Sequence, residues 1–240
     1  MEELKLPDKL KGRLQIFIES LKNIYQQDLI SLVLYGSAAS GEFVNKHSNL
    51  NILVVLKNTD PENLKKASRI INKFVMLNAL FLTENYIESS TDVFPIEFLD
   101  MKENYFLLYG KDILKNININ TGNLRFQCEQ ELKVKLINLR QAYLKLSNSR
   151  VGLSNILFKS FTSVLHILRN VLRLKGKKPP YLKQDILNEV ALEFQIEKGV
   201  WEKILVAKNK QKKLRLGDIE ELFANFIREL EKLVGIVDKL

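Results

Sequence analysis

Two adjacent residues, Gly36 and Ser37, follow a run of apolar residues in the segment "LVLYGSAASGEF" (32–43). A glycine lets the backbone approach a bound group closely, and the amides of the turn after it can point at a phosphate. Ser37 and Ser40 each carry a hydroxyl that can donate to a phosphate oxygen. The pattern is typical of a phosphate-binding turn, and also of a plain strand-to-helix turn in which serine caps the helix.

A pair of asparagines opens the next apolar run, "HSNLNILVVL" (47–56). Because side chains alternate along a strand, Asn49 and Asn51 are expected on one side and Leu50 on the opposite side, in the core. The chain therefore offers two neutral amides beside the turn. An amide oxygen can approach a cation as a dipole, but it contributes no net negative charge.

The order of four segments resembles the nucleotidyltransferase superfamily that includes DNA polymerase beta and kanamycin nucleotidyltransferase. In that superfamily a strand ends in Gly-Ser, an Asp-x-Asp pair opens the next strand, and a third acidic residue comes from a later strand. This chain matches with Gly36-Ser37, "HSNLNILVVL", "FPIEFLD" (94–100) and "LLYGKDIL" (107–114). The resemblance covers most of residues 29–114, and the second half is similar to the helical C-terminal domains of bacterial members.

The resemblance implies a site in which three carboxylates hold two Mg²⁺ ions that bridge a nucleoside triphosphate and activate a hydroxyl. Here the Asp-x-Asp positions are Asn49 and Asn51, and Glu97 is the best match for the third carboxylate. Mg²⁺ is usually recruited by carboxylates, and an amide cannot act as a general base. The prediction is a catalytically inactive nucleotidyltransferase-fold protein that retains nucleotide binding or a regulatory or assembly role.

Other interpretations stay open at the level of sequence. In an active enzyme, Ser37 would position phosphate, Asn49, Asn51 and Glu97 would form a weakened Mg²⁺ shell, and the second domain would choose a hydroxyl acceptor. Alternatively, the chain is an interaction module that pairs through exposed apolar helix faces, as a homodimer or with a partner protein. The two asparagines could also be plain polar strand residues, or deliberate inactivating substitutions.

The remaining titratable candidates have weaker patterns. Glu97 lies between Ile96 and Phe98 and would face away from both in a strand, as suits a site residue or a solvent-facing one. Asp100 is a weaker candidate for the same role. His47 is interpreted as a polar loop residue, with a catalytic role as the less favoured alternative. His166 is interpreted as a packing or surface residue, with no Cys or His at metal-ligand spacing.

Apolar periodicity predicts the elements that would carry these residues. Strands are predicted over 29–35, 50–56, 78–83 and 92–100, and Pro95 indicates that the last is an edge strand or starts just after this residue. Helices are predicted over 3–26 and 61–77, and Gly110 stops a short apolar segment before a polar stretch, 115–123. Beyond that stretch the pattern is helical throughout. The fold class is therefore α+β, with a mixed sheet and flanking helices over 1–118 and a helical bundle over 119–240.

Composition restricts the class of protein. Hydrophobic residues make up 46% of the 240 residues and charged residues 27%, as in soluble globular proteins. The single cysteine, Cys128, cannot form an internal disulfide, which fits a reducing, cytoplasmic setting. No apolar run approaches the roughly 20 residues of a membrane helix, so no membrane association is expected.

Positive charge is concentrated in the second half. Residues 1–120 carry 14 basic and 15 acidic residues, whereas residues 121–240 carry 23 and 13, for a total of +9. Two basic runs without acidic residues, 169–183 and 208–215, could contact phosphates or RNA, or could be solvated surface. Nucleic acid is not favoured, because aromatic residues for base stacking are limited to Tyr181 and Trp201.

Overall fold

The computed structural model describes residues 4, 6–40, 49–180, 182–209 and 214–240, with Ser40 described by its backbone alone. Contacts divide the chain into two compact units, Met1–Asn120 and Thr121–Leu240. The sequence places its boundary between residues 118 and 119, two residues before this division. Each unit has its own core and is described by itself.

The described residues of unit 1 form one mixed sheet of four strands in the order β3-β2-β1-β4. The strands are β1 (Leu29–Tyr35), β2 (Leu50–Leu56), β3 (Leu77–Thr83) and β4 (Tyr105–Gly110). Strand β1 is one of the two inner strands and pairs antiparallel with both β2 and β4, while β2, the other inner strand, pairs parallel with β3. The α+β class predicted from the sequence is confirmed.

In the part of unit 1 that the structure describes, five helices flank the sheet. They are α1 (Asp8–Tyr25), α2 (Ser37–Ser40), α3 (Pro61–Lys73), α4 (Glu84–Ser90) and α5 (Pro95–Glu103). The start of α3 has two sequence signals: Pro61 occupies the first turn, and the Asp60 side chain accepts from the Asn63 amide at 2.8 Å. A 3-10 turn, Leu114–Asn116, follows β4.

The alternation of side chains along the strands gives the sheet two buried faces. On one face, Leu50, Ile52 and Val54 of β2 pack in a cluster with residues of α1 such as Phe17 and Leu21. On the other face, Leu53 and Val55 pack in a second cluster, whose other members come mostly from β1, α4, α5 and the segment after β4. Helices therefore cover both faces, and the strands read as continuous apolar runs for this reason.

The predicted strand over 92–100 is wrong, because residues 95–100 belong to α5. Pro95 is the first helical residue, where its missing N–H costs nothing and its fixed φ suits a helix. Phe98 and Met101, spaced three apart, then fall on one helical face and pack in the second cluster. The fourth strand is instead β4, within the apolar segment that Gly110 ends.

The described residues of unit 2 form five helices. They are α6 (Thr121–Leu146), α7 (Arg150–Leu174), α8 (Lys183–Phe194), α9 (Gly199–Asn209) and α10 (Leu216–Val237). Trp201 of α9 is fully buried against the rings of Phe161 and Phe226, from α7 and α10. The bundle predicted for the second half of the chain matches this arrangement.

Among the described residues, α7 alone has the length and composition of a membrane-spanning helix, with 44% of its most apolar window buried. Its stripe of Leu153, Leu157, Phe161 and Val164 is fully buried within the bundle. The core helix of a soluble domain has the same composition, so α7 is weak support for a membrane span.

Candidate active site

Four residues from the four strands form one row across the sheet. Strand register pairs Asn78 of β3 with Asn51 of β2, Asn51 with Tyr35 of β1, and Tyr35 with Tyr105 of β4. Residues in register lie on the same face of a sheet, so the four side chains share the face that carries α4 and α5. We call Asn78, Asn51, Tyr35 and Tyr105 the polar row.

The two amides of the polar row contact each other. Nδ2 of Asn78 donates to Oδ1 of Asn51 at 3.2 Å. Asn51 is half-buried and Asn78 is exposed, so the pair lies at the accessible end of the row. Leu50, which precedes Asn51, points into the opposite core and is 1% exposed, as the alternation predicts.

Gly36 follows Tyr35 directly and brings the turn against the amide pair. Its φ is +77°, in the left-handed region that favours glycine, and a β-carbon there would lie 3.3 Å from Nδ2 of Asn51. The Gly36 N–H donates to the Asn104 carbonyl at 2.9 Å. Gly36 thus allows the turn to approach the Asn51 side chain closely. Its N–H bonds to the residue before β4 and does not point at a ligand.

The two tyrosines of the polar row carry neutral hydroxyls. Burial raises the pKa of Tyr35 above its ordinary value. Burial also raises the pKa of Tyr105, and the hydrogen bond and negative charge of Asp112 raise it further. The Tyr105 hydroxyl lies 3.0 Å from both carboxylate oxygens of Asp112 and donates to this group. Neither tyrosine adds negative charge to the row at neutral pH.

The structure brings together only part of the predicted site. Gly36, Ser37 and Asn51 lie at the same end of the sheet, with Ser37 starting the four-residue helix α2. Asn49 is exposed and lies one residue outside β2, so strand alternation does not fix its side. The Ser40 side chain and His47, which the sequence predicts to be a loop residue, lie outside the described residues.

Glu97 does not come from a strand, which corrects the sequence prediction. It is exposed in the first turn of α5, between the buried residues Ile96 and Phe98. The later strand beside Asn51 is β3, and its residue in register is Asn78. Asp100 is also on α5 rather than at a strand end.

Sequence reasoning missed Asn78, Tyr35 and Tyr105. The available signal was weak: "NALFLT" opens with an asparagine, as "NILVVL" does, and both runs are strands. Only the parallel pairing of β2 with β3 identifies the two asparagines as neighbours.

The donor set of this site does not fit a pair of Mg²⁺ ions. Mg²⁺ requires near-octahedral oxygen ligands and is usually held through carboxylates. The positions beside the turn are Asn51 and Asn78, and the amide oxygen of Asn51 already accepts a hydrogen bond. Within the described residues, no group of three or more His, Cys, Asp or Glu side chains could hold a metal ion.

Several side chains of the basic runs are engaged within unit 2. Lys177 forms ion pairs with Glu189 at 3.5 Å and Glu193 at 2.8 Å. Lys208 donates to the Phe158 carbonyl at 3.1 Å and to the Thr162 hydroxyl, and burial lowers its pKa. Residues 210–213 and Tyr181 lie outside the described residues. These contacts engage Lys177 and Lys208 within unit 2.

The sequence matches no protein-family model and no curated protein. Among solved structures, the chain is similar to spectinomycin adenyltransferase AAD(9) from Enterococcus faecialis, in a crystal structure with ATP and spectinomycin. The TM-score is 0.55 at 14% sequence identity, and the match covers 90% of this chain and 99% of that chain. At this identity the similarity concerns the fold alone: the chain has a nucleotidyltransferase-like fold.

Proposed function

We propose that this chain is a nucleotidyltransferase-fold protein that does not catalyse metal-dependent nucleotidyl transfer and that binds a nucleoside triphosphate without metal. The observation that carries the proposal is the contact between Asn51 and Asn78 on adjacent parallel strands. Two positions beside the Gly36 turn, where catalysis would require carboxylates, hold neutral amides that are hydrogen-bonded to each other.

The loss of charge affects the ion and the nucleotide in opposite directions. Without carboxylates, the site lacks the ligands that recruit Mg²⁺ and the general base that would deprotonate an acceptor. The same neutrality removes the repulsion that carboxylates exert on a triphosphate when no metal is present. Amide N–H groups of Asn51 and Asn78 can instead donate to phosphate oxygens.

A nucleoside triphosphate is the ligand class that the fold favours. The similar adenyltransferase was crystallised with ATP, and the Gly36-Ser37 turn of this chain lies beside the amide pair. Ser37 contributes a hydroxyl at the start of α2. A cytoplasmic location, where nucleotides are abundant, belongs to the same proposal.

Calorimetric titration with ATP, in the presence and absence of Mg²⁺, tests this proposal. We expect saturable binding in the micromolar range, with affinities that agree within about threefold in the two conditions. As a control, Asn51→Ala/Asn78→Ala is expected to lose at least tenfold in affinity, whereas Asn72→Ala, an exposed change on α3, leaves it unchanged.

Two results would contradict the proposal. Binding that strictly requires Mg²⁺ would favour an active enzyme with a weakened metal shell. If ATP does not bind in either condition, the proposed nucleotide binding is wrong, and a regulatory or assembly role is the remaining hypothesis.

A further inference from the structure

Helix α6 carries an exposed, uncharged stripe along its length. Its members are all exposed and fall within an arc of roughly 80° on the helix; they are Phe126, Gln130, Val134, Ile137, Gln141 and Leu144. The four apolar members are 62%, 47%, 52% and 82% exposed, in chain order. We call these six residues the α6 stripe.

The stripe differs from the rest of the unit 2 surface. The other large exposed apolar side chains among its described residues occur singly, as Val151, Leu182, Leu192, Val206 and Leu240. Single exposed apolar residues are normal, whereas a contiguous apolar surface marks an interaction site. From Phe126 to Leu144 the stripe extends roughly 27 Å along the helix.

The order of residues in the stripe is self-complementary. Read in either direction it is apolar, Gln, apolar, apolar, Gln, apolar. If two copies of α6 pack antiparallel, Phe126 meets Leu144 of the second copy, Gln130 meets Gln141, and Val134 meets Ile137. The centres of the three pairings agree within half a residue, at residue 135 for Phe126 with Leu144 and between residues 135 and 136 for the other two, so one two-fold axis can relate them all.

Charge beside the stripe does not oppose this packing. Arg125 lies 2.8 Å from Glu129, which also pairs with Lys133. Further along, Lys133 lies 3.2 Å from Asp238, and Arg140 lies 2.5 Å from Glu231. Three basic and three acidic groups therefore neutralise one another next to the stripe, although the chain as a whole carries +9.

From the symmetry of the stripe and the neutrality of the charges beside it, we propose that the partner of the α6 stripe is a second copy of this chain, packed antiparallel in a two-fold symmetric homodimer. Phe126, Val134, Ile137 and Leu144 form the apolar contact, and the amides of Gln130 and Gln141 hydrogen-bond across it and fix the register. This inference does not depend on nucleotide binding.

Sedimentation equilibrium of the full chain at micromolar concentrations tests the dimer. We expect a dimer for the unaltered chain and at least about a 100-fold higher dissociation constant for Ile137→Asp, since each substitution occurs twice in the interface. Leu192→Asp on α8, at a residue that is 75% exposed outside the stripe, is the matched control and is expected to remain dimeric. A monomer at all concentrations up to about 100 µM would overturn the proposal.

Cysteine cross-linking tests the antiparallel orientation. The double variant Phe126→Cys/Leu144→Cys is expected to form a disulfide-linked dimer, because each cysteine meets the other type in the second copy. Either single variant is expected to stay unlinked, since its two copies lie at opposite ends of the interface. The native Cys128 does not interfere, because it is fully buried and burial raises its pKa to about 12. Linkage of Phe126→Cys alone would overturn the antiparallel arrangement.

The dependence of dimer dissociation on salt concentration is a further test of the proposed interface. A dimer held by apolar and amide contacts is expected to persist when the NaCl concentration is raised. Its dissociation constant is expected to fall, because salt screens the repulsion between two chains of charge +9. Dissociation by salt would mean that ion pairs hold the dimer, in contradiction to the proposed surface.

Discussion

The triple variant Asn49→Asp/Asn51→Asp/Asn78→Glu is expected to bind Mn²⁺ at least about 100-fold more tightly than the unaltered chain, because affinity for hard cations rises steeply with the number of charged ligands. The substitutions place two carboxylates beside the Gly36 turn, where the structure has the contacting amides of Asn51 and Asn78, and a third at exposed Asn49, one residue before β2. Electron paramagnetic resonance of free Mn²⁺ during titration measures the affinity directly.

The same variant is expected to lose stability when no metal is present. Two carboxylates would replace amides whose polar atoms lie 3.2 Å apart, and like charges at this distance repel each other. We expect a loss of about 1–3 kcal/mol in the free energy of unfolding that Mn²⁺ restores. Thermal denaturation with and without the ion measures both changes.

A control with the same number of added charges separates a site effect from a charge effect. Asn72→Asp/Asn116→Asp/Asn148→Asp adds three carboxylates at exposed positions away from the polar row. This variant is expected to show neither the gain in Mn²⁺ affinity nor the recovery of stability. If the first variant behaves like this control, the amides do not mark the position of a lost metal site.

The second large effect is expected for Gly110→Ala, which should destabilise unit 1 by about 3 kcal/mol. Gly110 has φ +80°, and a β-carbon there would lie 2.1 Å from the Ile30 carbonyl oxygen and 3.3 Å from Cα of Ser31. These are backbone atoms near the start of β1, a strand that is paired on both sides. No side chain can move aside to relieve the overlap.

Gly12→Ala is the matched control for this substitution. Gly12 lies within α1, and a β-carbon there would meet nothing within 4 Å. The same chemical change is therefore expected to stabilise the protein by about 0.5–1 kcal/mol, because alanine favours a helix interior. Amide hydrogen exchange in peptides from β1 and β4 measures both effects, with peptides from unit 2 as an internal reference. If the two variants changed the rate of hydrogen exchange in β1 and β4 equally, the proposed backbone overlap at Gly110 would be contradicted.

Local sequence patterns predicted most of the elements that position the site. The runs 29–35 and 50–56 coincide with β1 and β2, because apolar, β-branched strands that are buried on both faces leave a clear pattern. The prediction over 78–83 misses only the first residue of β3. The helix predicted over 61–77 ends at Lys73 instead, since Phe74 leaves the helical conformation and packs in the core.

The site itself depended on information that no local pattern contains. Asn78 becomes a neighbour of Asn51 only through the parallel pairing of β2 with β3, and Tyr105 enters the polar row only because β4 pairs with β1. The sequence places Glu97 in a strand because "FPIEFLD" is short and apolar, and such runs fit a strand or a buried helix equally well. The resemblance gave the family of folds, but not which strand supplies the third position.

Pyrophosphate release tests the proposed loss of catalysis most directly. The full chain is incubated with each of the four nucleoside triphosphates, with Mg²⁺ or Mn²⁺, and with small-molecule, protein and RNA acceptors that offer a hydroxyl. We predict a rate equal to that of the protein-free reaction in every combination, because neutral amides neither anchor the ions nor accept the proton. Metal-dependent release that is abolished in Asn51→Ala/Asn78→Ala would contradict the proposal and show that the amides support catalysis.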